Sequence, residues 1–336
     1  MKNALTFCCL SIALTAMSCD AVAQTTSSFD KSSGGSGQAW PARPIRVMVG
    51  YVPGGSTDVS ARIVADAAAK LLGQNMIIDN RPGAAGGIAI EALMRAQPDG
   101  YTIIVAPDSS LYQPVLNPKL PFRVEKHLLP ITLLTNQPIV IAVHPAPGWK
   151  TIADLIAAAK ARPGQISYAL PGPTSSQAVA AGVFFRAAGV KLQSVPYKGG
   201  GQAVIDLMSG QVPVGVLGSA PVMPQVASGR IRLLAVTSRE RSKTMPNVPT
   251  LSESGYKGID FTQWFGVLAP VGTPSEVVTR LSSVFLEVLA DPGIVQRLAG
   301  AGLEPVGGTP EAFAARIRNE VGAWTRAARD LGLSAN

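Results

Sequence analysis

Four times along this chain an apolar run of strand length stops at a turn rich in glycine, proline or serine. The fullest case runs Ile45-Arg46-Val47-Met48-Val49, then Gly50-Tyr51-Val52, then Pro53-Gly54-Gly55-Ser56-Thr57-Asp58. Pro53 fixes one backbone torsion, Gly54 and Gly55 reach conformations closed to other residues, and Ser56, Thr57 and Asp58 are good helix openers. A strand that enters a helix in this way leaves a cup of backbone N–H groups, because the first helical N–H groups have no partner inside the helix. Partial positive charge at the helix N-terminus then suits the cup to a carboxylate or another small anion. The same turn also serves as a plain connector in any α/β fold.

The other three turns follow the same plan. Pro171-Gly172-Pro173-Thr174-Ser175-Ser176-Gln177 follows a strand ending at Leu170 and opens a helix, so its hydroxyls either reach a ligand or cap that helix. Pro107-Asp108-Ser109-Ser110 follows a strand ending at Ala106, and Lys198-Gly199-Gly200-Gly201 follows one ending at Tyr197. Lys198 either pairs with an anion or sits solvated on the surface.

Strand-length runs alternate with longer helical patterns, the order expected of parallel α/β units. The strands expected are 45–49, 76–79, 102–106, 139–144, 166–170, 193–197, 212–217, 231–237 and 263–268. Helices are expected near 57–72, 86–96, 152–161, 176–188, 202–209, 275–289, 293–299 and 311–330. Thr151 with Asp154 and Thr174 with Gln177 read as capping boxes, and Gly73 and Gly189 stand where helices end. Two segments read as crossings between domains: Pro138 to Pro145, a strand bracketed by prolines, and Trp264 to Pro270. With two crossings, residues 40–140 and 265–336 share lobe 1 and residues 141–264 form lobe 2. A ligand then sits between the lobes at the carboxyl ends of the strands.

The N-terminus stands apart from both lobes. Lys2, the mostly apolar stretch from Ala4 to Ala16 and the small residues Ala21-Val22-Ala23 describe a secretory signal peptide over residues 1–23. Residues 24–39, rich in Ser, Gly and Gln, read as a flexible leader. Cys8, Cys9 and Cys19 all fall in the segment expected to be removed, so the mature chain has neither thiol nor disulfide. A lipid anchor at Cys19 is the second route, although Ala16-Met17-Ser18 lacks the leucine usual before such a cysteine. No other stretch is apolar over the ~18 residues that a membrane helix needs, so the expectation is an exported protein, soluble outside the cytoplasm and not integral to the membrane.

The net charge of +8 among 336 residues is dispersed, with no Lys/Arg run, which argues against nucleic acid as a partner. Catalytic machinery is missing from the sequence. No Gly-x-Ser-x-Gly and no Gly-x-Gly-x-x-Gly after a strand occurs, and the two histidines, His127 and His144, lack metal-ligand spacing. Binding without catalysis, without a metal and without a cofactor is the expectation.

Six landmarks in order carry a family resemblance: Pro53 to Asp58; Asn80-Arg81-Pro82-Gly83-Ala84-Ala85-Gly86; Pro98-Asp99-Gly100-Tyr101-Thr102; Val195-Pro196-Tyr197-Lys198-Gly199; Leu234-Ala235-Val236-Thr237-Ser238; and Val248-Pro249-Thr250. From Trp40 to its last helix the chain resembles the periplasmic solute receptors of tripartite tricarboxylate transporters, the Bug proteins. The resemblance implies an α/β, two-lobed Venus-flytrap fold of the type II periplasmic-binding-protein class. It also implies a ligand carboxylate held by main-chain N–H groups and bridging waters. Carried over by position, the clamp is Gly54, Gly55, Ser56, Thr57 and Asp58, aided by Ser109 and Ser110, with Ser175, Ser176 and Gln177 closing from the other lobe. Asp58 either orients the loop or accepts a bond from water or a ligand amine, and Asp108 raises the same question. Where the family often has a histidine this chain has Ala178, and where a later strand often ends in an acidic residue it has Leu217, followed by Gly218 and Ser219. Gly87 and Gly182 likewise replace polar residues, which implies a less polar or larger far end on the ligand than citrate has. The implied partners are a small organic carboxylate and a membrane permease; a signalling receptor in place of the permease, or a secreted α/β enzyme, are the rival readings.

Overall fold

One strand holds the molecule together. In the computed structural model, which describes residues 40–332, β4 (Leu128–Val143) runs for 16 residues, about 50 Å at the usual rise per residue. The chain reaches it through β1 (Ile45–Val49), α1 (Ser56–Leu72), β2 (Met76–Asn80), α2 (Gly87–Met94), β3 (Thr102–Pro107) and three single turns, α3 (Asp108–Leu111), α4 (Gln113–Leu116) and α5 (Val124–His127). After β4 come α6 (Ile152–Ala161), β5 (Ser167–Leu170), α7 (Ser176–Ala187), β6 (Gln193–Pro196), α8 (Gly200–Met208), β7 (Val214–Gly218), α9 (Ser219–Ala227) and β8 (Arg232–Val236). The chain then returns through β9 (Thr262–Pro270), α10 (Ser275–Ala290), α11 (Pro292–Gly300), β10 (Glu304–Pro305) and α12 (Pro310–Leu331). The expected signal peptide, leader and Cys19 lie outside the described residues.

The first half of β4 completes a sheet of order β2-β1-β3-β9-β4, with β10 on its far side, and the second half begins another, β4-β7-β5-β6, with β8 alongside. The partner changes at Pro138, which pairs with Thr262 of β9, while Ile139 pairs with Gly218 of β7. Proline has no N–H to give to a ladder, so it marks the place where one ladder stops and the other starts. The result is a two-lobed α/β fold with a mixed sheet in place of the all-parallel order. β1, β2 and β3 are parallel, as are β5, β6 and β7, but β4 and β9 run antiparallel to their neighbours.

Both faces of each sheet are covered, which is why the strands read as nearly continuous apolar runs. Ile45, Val47 and Val49 pack under α1 and α10, while Met48 faces the opposite core with Leu93 and Phe313. The second lobe repeats the scheme: Ile139, Ile141 and Val143 share a core with Phe184, and Val140 and Ala142 share one with Leu207. Leu217 is fully buried in that last core, so its replacement of an acidic residue does not bear on the cleft.

Several differences from the sequence reading have local causes. The first half of β4 was not expected, because Thr132, Thr135 and Gln137 interrupt its apolar pattern, and two register shifts break the alternation. α9 was not expected because it holds Pro221 and Pro224. Pro221 lies in the first turn, where a missing N–H costs nothing. The capping box at Thr151 forms as read, but α7 is capped by Ser175, whose Oγ accepts from Ala178 N, and Thr174 donates instead to Gln113 Oε1.

At Gly266 on β9, the ring of Phe313 from α12 lies where a Cβ would stand. Gly266→Ala is expected to destabilise the fold by about 1 to 3 kcal/mol through overpacking, read as a lower melting temperature by calorimetry. An unchanged transition would mean that α12 does not pack here.

Candidate ligand-binding site

Four helices of eight residues or more begin around one small cavity. They are α1, α7, α8 and α9, each following the carboxyl end of a strand, and the short α3 adds Ser109. The cavity is lined by Tyr51, Gly55, Ser56, Thr57, Ser109, Pro171, Ser175, Gln177, Gly200, Gly218 and Gln263. Water-sized centres have ≈ 20 Å³ there, room for one or two waters or for the head of a carboxylate. None of these residues carries a formal charge at neutral pH, and burial pushes the Tyr51 phenol up from its ordinary value. Among the groups that line the cavity, positive potential comes from the helix starts.

Of the residues expected in the clamp, the structure brings Gly55, Ser56, Thr57, Ser109, Ser175 and Gln177 to this cavity. Gly54, Asp58, Ser110, Ser176 and Lys198 do not line it. Gly54 takes a left-handed φ of 78° and donates its N–H to Asp58 Oδ2 at 2.9 Å. Asp58 turns away from the cavity: Oδ2 also accepts from Arg62 Nε at 2.9 Å and Oδ1 from Asn80 Nδ2 at 2.9 Å. Asn80 Nδ2 donates to Tyr51 O as well, so one carboxylate and one carboxamide fix both ends of the loop. Burial works against the Asp58 charge, but Arg62, Gly54 N–H and Asn80 together hold its carboxyl below the usual range. Asp58 therefore orients the loop. Ser110 Oγ donates to Ala85 O at 2.8 Å, beside the Tyr51 hydroxyl. Lys198 lines a larger outer chamber of ≈ 680 Å³, which shares the walls Tyr51 and Pro171 with the inner cavity.

A chain of carboxamides sets the direction of hydrogen bonding inside the cavity. Ala220 N–H, which can only donate, is 3.1 Å from the side chain of Gln137, so that atom is Oε1 and Gln137 must present Nε2 at its other end. Nε2 donates at 2.7 Å to Gln263, whose acceptor is therefore Oε1, and Gln177 Nε2 donates to the same atom at 2.9 Å. Gln263 Nε2 then has no partner among the described residues, and Gln263 lines the cavity. Ser109 Oγ and Gln177 Oε1 are buried without a partner. Buried polar groups left unpaired are costly, so these two atoms, with Gln263 Nε2 at the cavity wall, mark where a ligand or its waters would complete the bonding. Gln137 and Gln263 were missed in the sequence; 137 falls outside the expected strands and 263 stands at the start of one. Tyr51 and Gly218 were missed as lining residues too. The two histidines serve local turns: His127 Nδ1 accepts from Arg123 N and His144 Nδ1 from Ala146 N.

The lobes meet backbone to backbone. A Cβ on Gly201, at the start of α8, would stand 2.6 Å from Pro53 O and 3.1 Å from Gly54 C in the opposite lobe. A Cβ on Gly218 would meet Ser56 Oγ. Glycine at both places lets the two helix starts approach within reach of one small anion.

Residues 60–333 match the tripartite tricarboxylate transporter family receptor, TctC. The chain belongs to this family. BugT of Bordetella pertussis is 34% identical over 299 residues, 88% of this chain and 92% of that one. The solved periplasmic binding protein BugD is 32% identical with a TM-score of 0.84, over 88% of this chain and 100% of that one. The R. palustris protein Rpa4515, solved with adipate, is 30% identical with a TM-score of 0.85, over 88% and 99%. The TctC family is one of periplasmic solute-binding receptors, and among the described residues no helix is long and apolar enough to cross a membrane.

Gly201→Ala is expected to obstruct lobe closure and weaken ligand binding tenfold or more, about 1.4 kcal/mol, with the ligand-free fold intact. Gly54→Ala, which meets nothing within 4 Å, adds only the strain of its φ, about 1 to 2 kcal/mol. Titration calorimetry with a carboxylate selected by thermal shift checks both; wild-type affinity in Gly201→Ala would dismiss the closure contact.

Proposed function

We propose that this receptor captures a small organic carboxylate between its lobes and delivers it to a membrane permease of the tripartite tricarboxylate type. The observation that carries the reading is the inner cavity itself, where four helix N-termini and the free Gln263 Nε2 surround a space without a counter-charge. Such a space favours an anion small enough to be wrapped by N–H groups. Ser109 Oγ and Gln177 Oε1 are placed to hold bridging waters or a ligand hydroxyl. The clamp in this reading comprises Gly55, Ser56, Thr57, Ser109, Ser175 and Gln177, with Gln263 added and Gly54, Asp58 and Ser110 as its supports.

The lobes in this reading are residues 40–140 with 265–336, and residues 141–264. The head of the ligand occupies the inner cavity, and its body extends past Tyr51 and Pro171 into the outer chamber. There Ala84, Ala85, Leu120 and Pro173 offer apolar walls and Lys198 a single positive charge. The adipate held by Rpa4515 is a carboxylate of comparable class. Export by the signal peptide at residues 1–23 places the mature protein in the periplasm.

A thermal-shift panel of aliphatic dicarboxylates, aromatic acids, amino acids and citrate tests the reading. A cognate carboxylate at about 100 times its Kd is expected to raise the melting temperature by about 5 to 10 °C, and its neutral amide by none. Stabilisation by the amides and not the acids would reject the anion cavity.

A further inference from the structure

Segments from both lobes separate two cavities and show a different face to each. Ser109, Ser175, Gln177 and Gln263 face the ligand cavity, whereas their chain neighbours Asp108, Ser176, Thr262 and Trp264 line a separate cavity of ≈ 220 Å³ behind it. Arg316, Glu320 and Trp324 of α12 and Val179, Asp260 and Phe261 complete the rear cavity. Asp108 is 3% exposed. Its Oδ1 accepts from Ser109 N at 2.7 Å in its own lobe and from Ser176 Oγ at 2.7 Å in the other. Its Oδ2 has no partner among the described residues.

Among the described residues no cation is paired with this carboxyl. Arg316, the positive group nearest it from α12, is bonded to Glu320 Oε1 at 2.8 Å, and Glu320 Oε2 accepts from Trp264 Nε1 and Tyr112 Oη. The remaining ionisable neighbours are Asp260 across the rear cavity and the phenols of Tyr51 and Tyr112. The Ser176 contact exists only when the lobes are together, and closing them removes the water that would otherwise solvate the carboxylate.

We propose that Asp108 couples lobe closure to the uptake of one proton, so that the receptor shuts on its ligand as an acid-loaded latch. The proton comes from solvent through the rear cavity to Oδ2, without crossing the ligand. Burial pushes the Asp108 carboxyl up to about 7 in the closed form, with Glu320 adding to the shift and the Ser176 and Ser109 bonds opposing it. In an open form, with Ser176 withdrawn and water admitted, the carboxyl returns toward ~3.9. Protonation therefore favours closure. The advantage is complete below about pH 4, falls about tenfold per pH unit as pH rises toward 7, and is flat above that. The coupling rests on the reading that the lobes close on a ligand, and it acts by shifting the open-to-closed balance.

Small-angle scattering of the ligand-free protein tests it. Between pH 5 and pH 8 the closure equilibrium is expected to fall about a hundredfold, read as a larger radius of gyration at pH 8. Asp108→Asn, which keeps both acceptor bonds and resembles the protonated acid, is expected to be equally compact at both pH values. Ser176→Ala, which removes a bond that stabilises the carboxylate, is expected to move the upper end of the transition above that of the wild type. An unchanged radius in the wild type, or a pH response that survives in a folded Asp108→Asn, overturns the proposal. If the carboxylate reading alone is wrong, the scattering response remains and no acid stabilises the protein. If the proton coupling alone is wrong, acids stabilise it equally at pH 5 and pH 8.

Discussion

Every feature of the site depends on a single continuous strand belonging to two sheets. Because β4 pairs with β9 before Pro138 and with β7 and β8 after it, the carboxyl ends of strands from both lobes are directed at one point. Two independent sheets joined by flexible linkers would have no reason to face their helix starts toward each other. Here the ladder enforces it, and the missing N–H of Pro138 localises the change of partner without breaking the strand. The glycines at positions 55, 200, 201 and 218 then set how near the two sets of helix starts come.

The cavity answers an old electrostatic difficulty in a frugal way. A buried arginine or lysine would attract a carboxylate strongly but would be an unpaired charge in the empty site, at a heavy cost in desolvation. Peptide dipoles and carboxamides carry no net charge, so the empty site is tolerable and the filled one is satisfied. The charged groups are set around the cavity as braces. Asp58 with Arg62 and Asn80 holds the first turn from outside, and Glu320 with Arg316, Trp264 and Tyr112 fastens α12 across the back.

Much of this was legible in the residues because glycine, proline and small hydroxyl residues announce turns whose chemistry is local. The loop at Pro53 to Asp58, the turns at Pro107 to Ser110 and Pro171 to Gln177 and the crossing at Pro138 all carry such marks, and the turns hold Gly55, Ser56, Thr57, Ser109, Ser175 and Gln177. Properties that depend on which way a side chain faces were not legible. Ser175 and Ser176 are adjacent and alike in type, yet one lines the inner cavity and the other contacts Asp108 behind it. Gln137 and Gln263 look like interruptions of apolar strands until their pairing, 126 residues apart, is known. The antiparallel course of β4 and β9 is hidden for the same reason, since strand direction is decided by contacts distant in sequence.

The relay that starts at Ala220 N–H has a consequence for the sign of what the cavity accepts. Three carboxamides are each symmetric in shape, and turning all of them over would exchange every donor for an acceptor at almost no steric cost. Gln263 would then offer an oxygen where it now offers an amide N–H, and Gln177 an amide N–H where it now leaves an oxygen, so the donor and the acceptor would change places. One main-chain amide in α9, which does not itself line the cavity, thus decides which of the two carboxamides presents the donor.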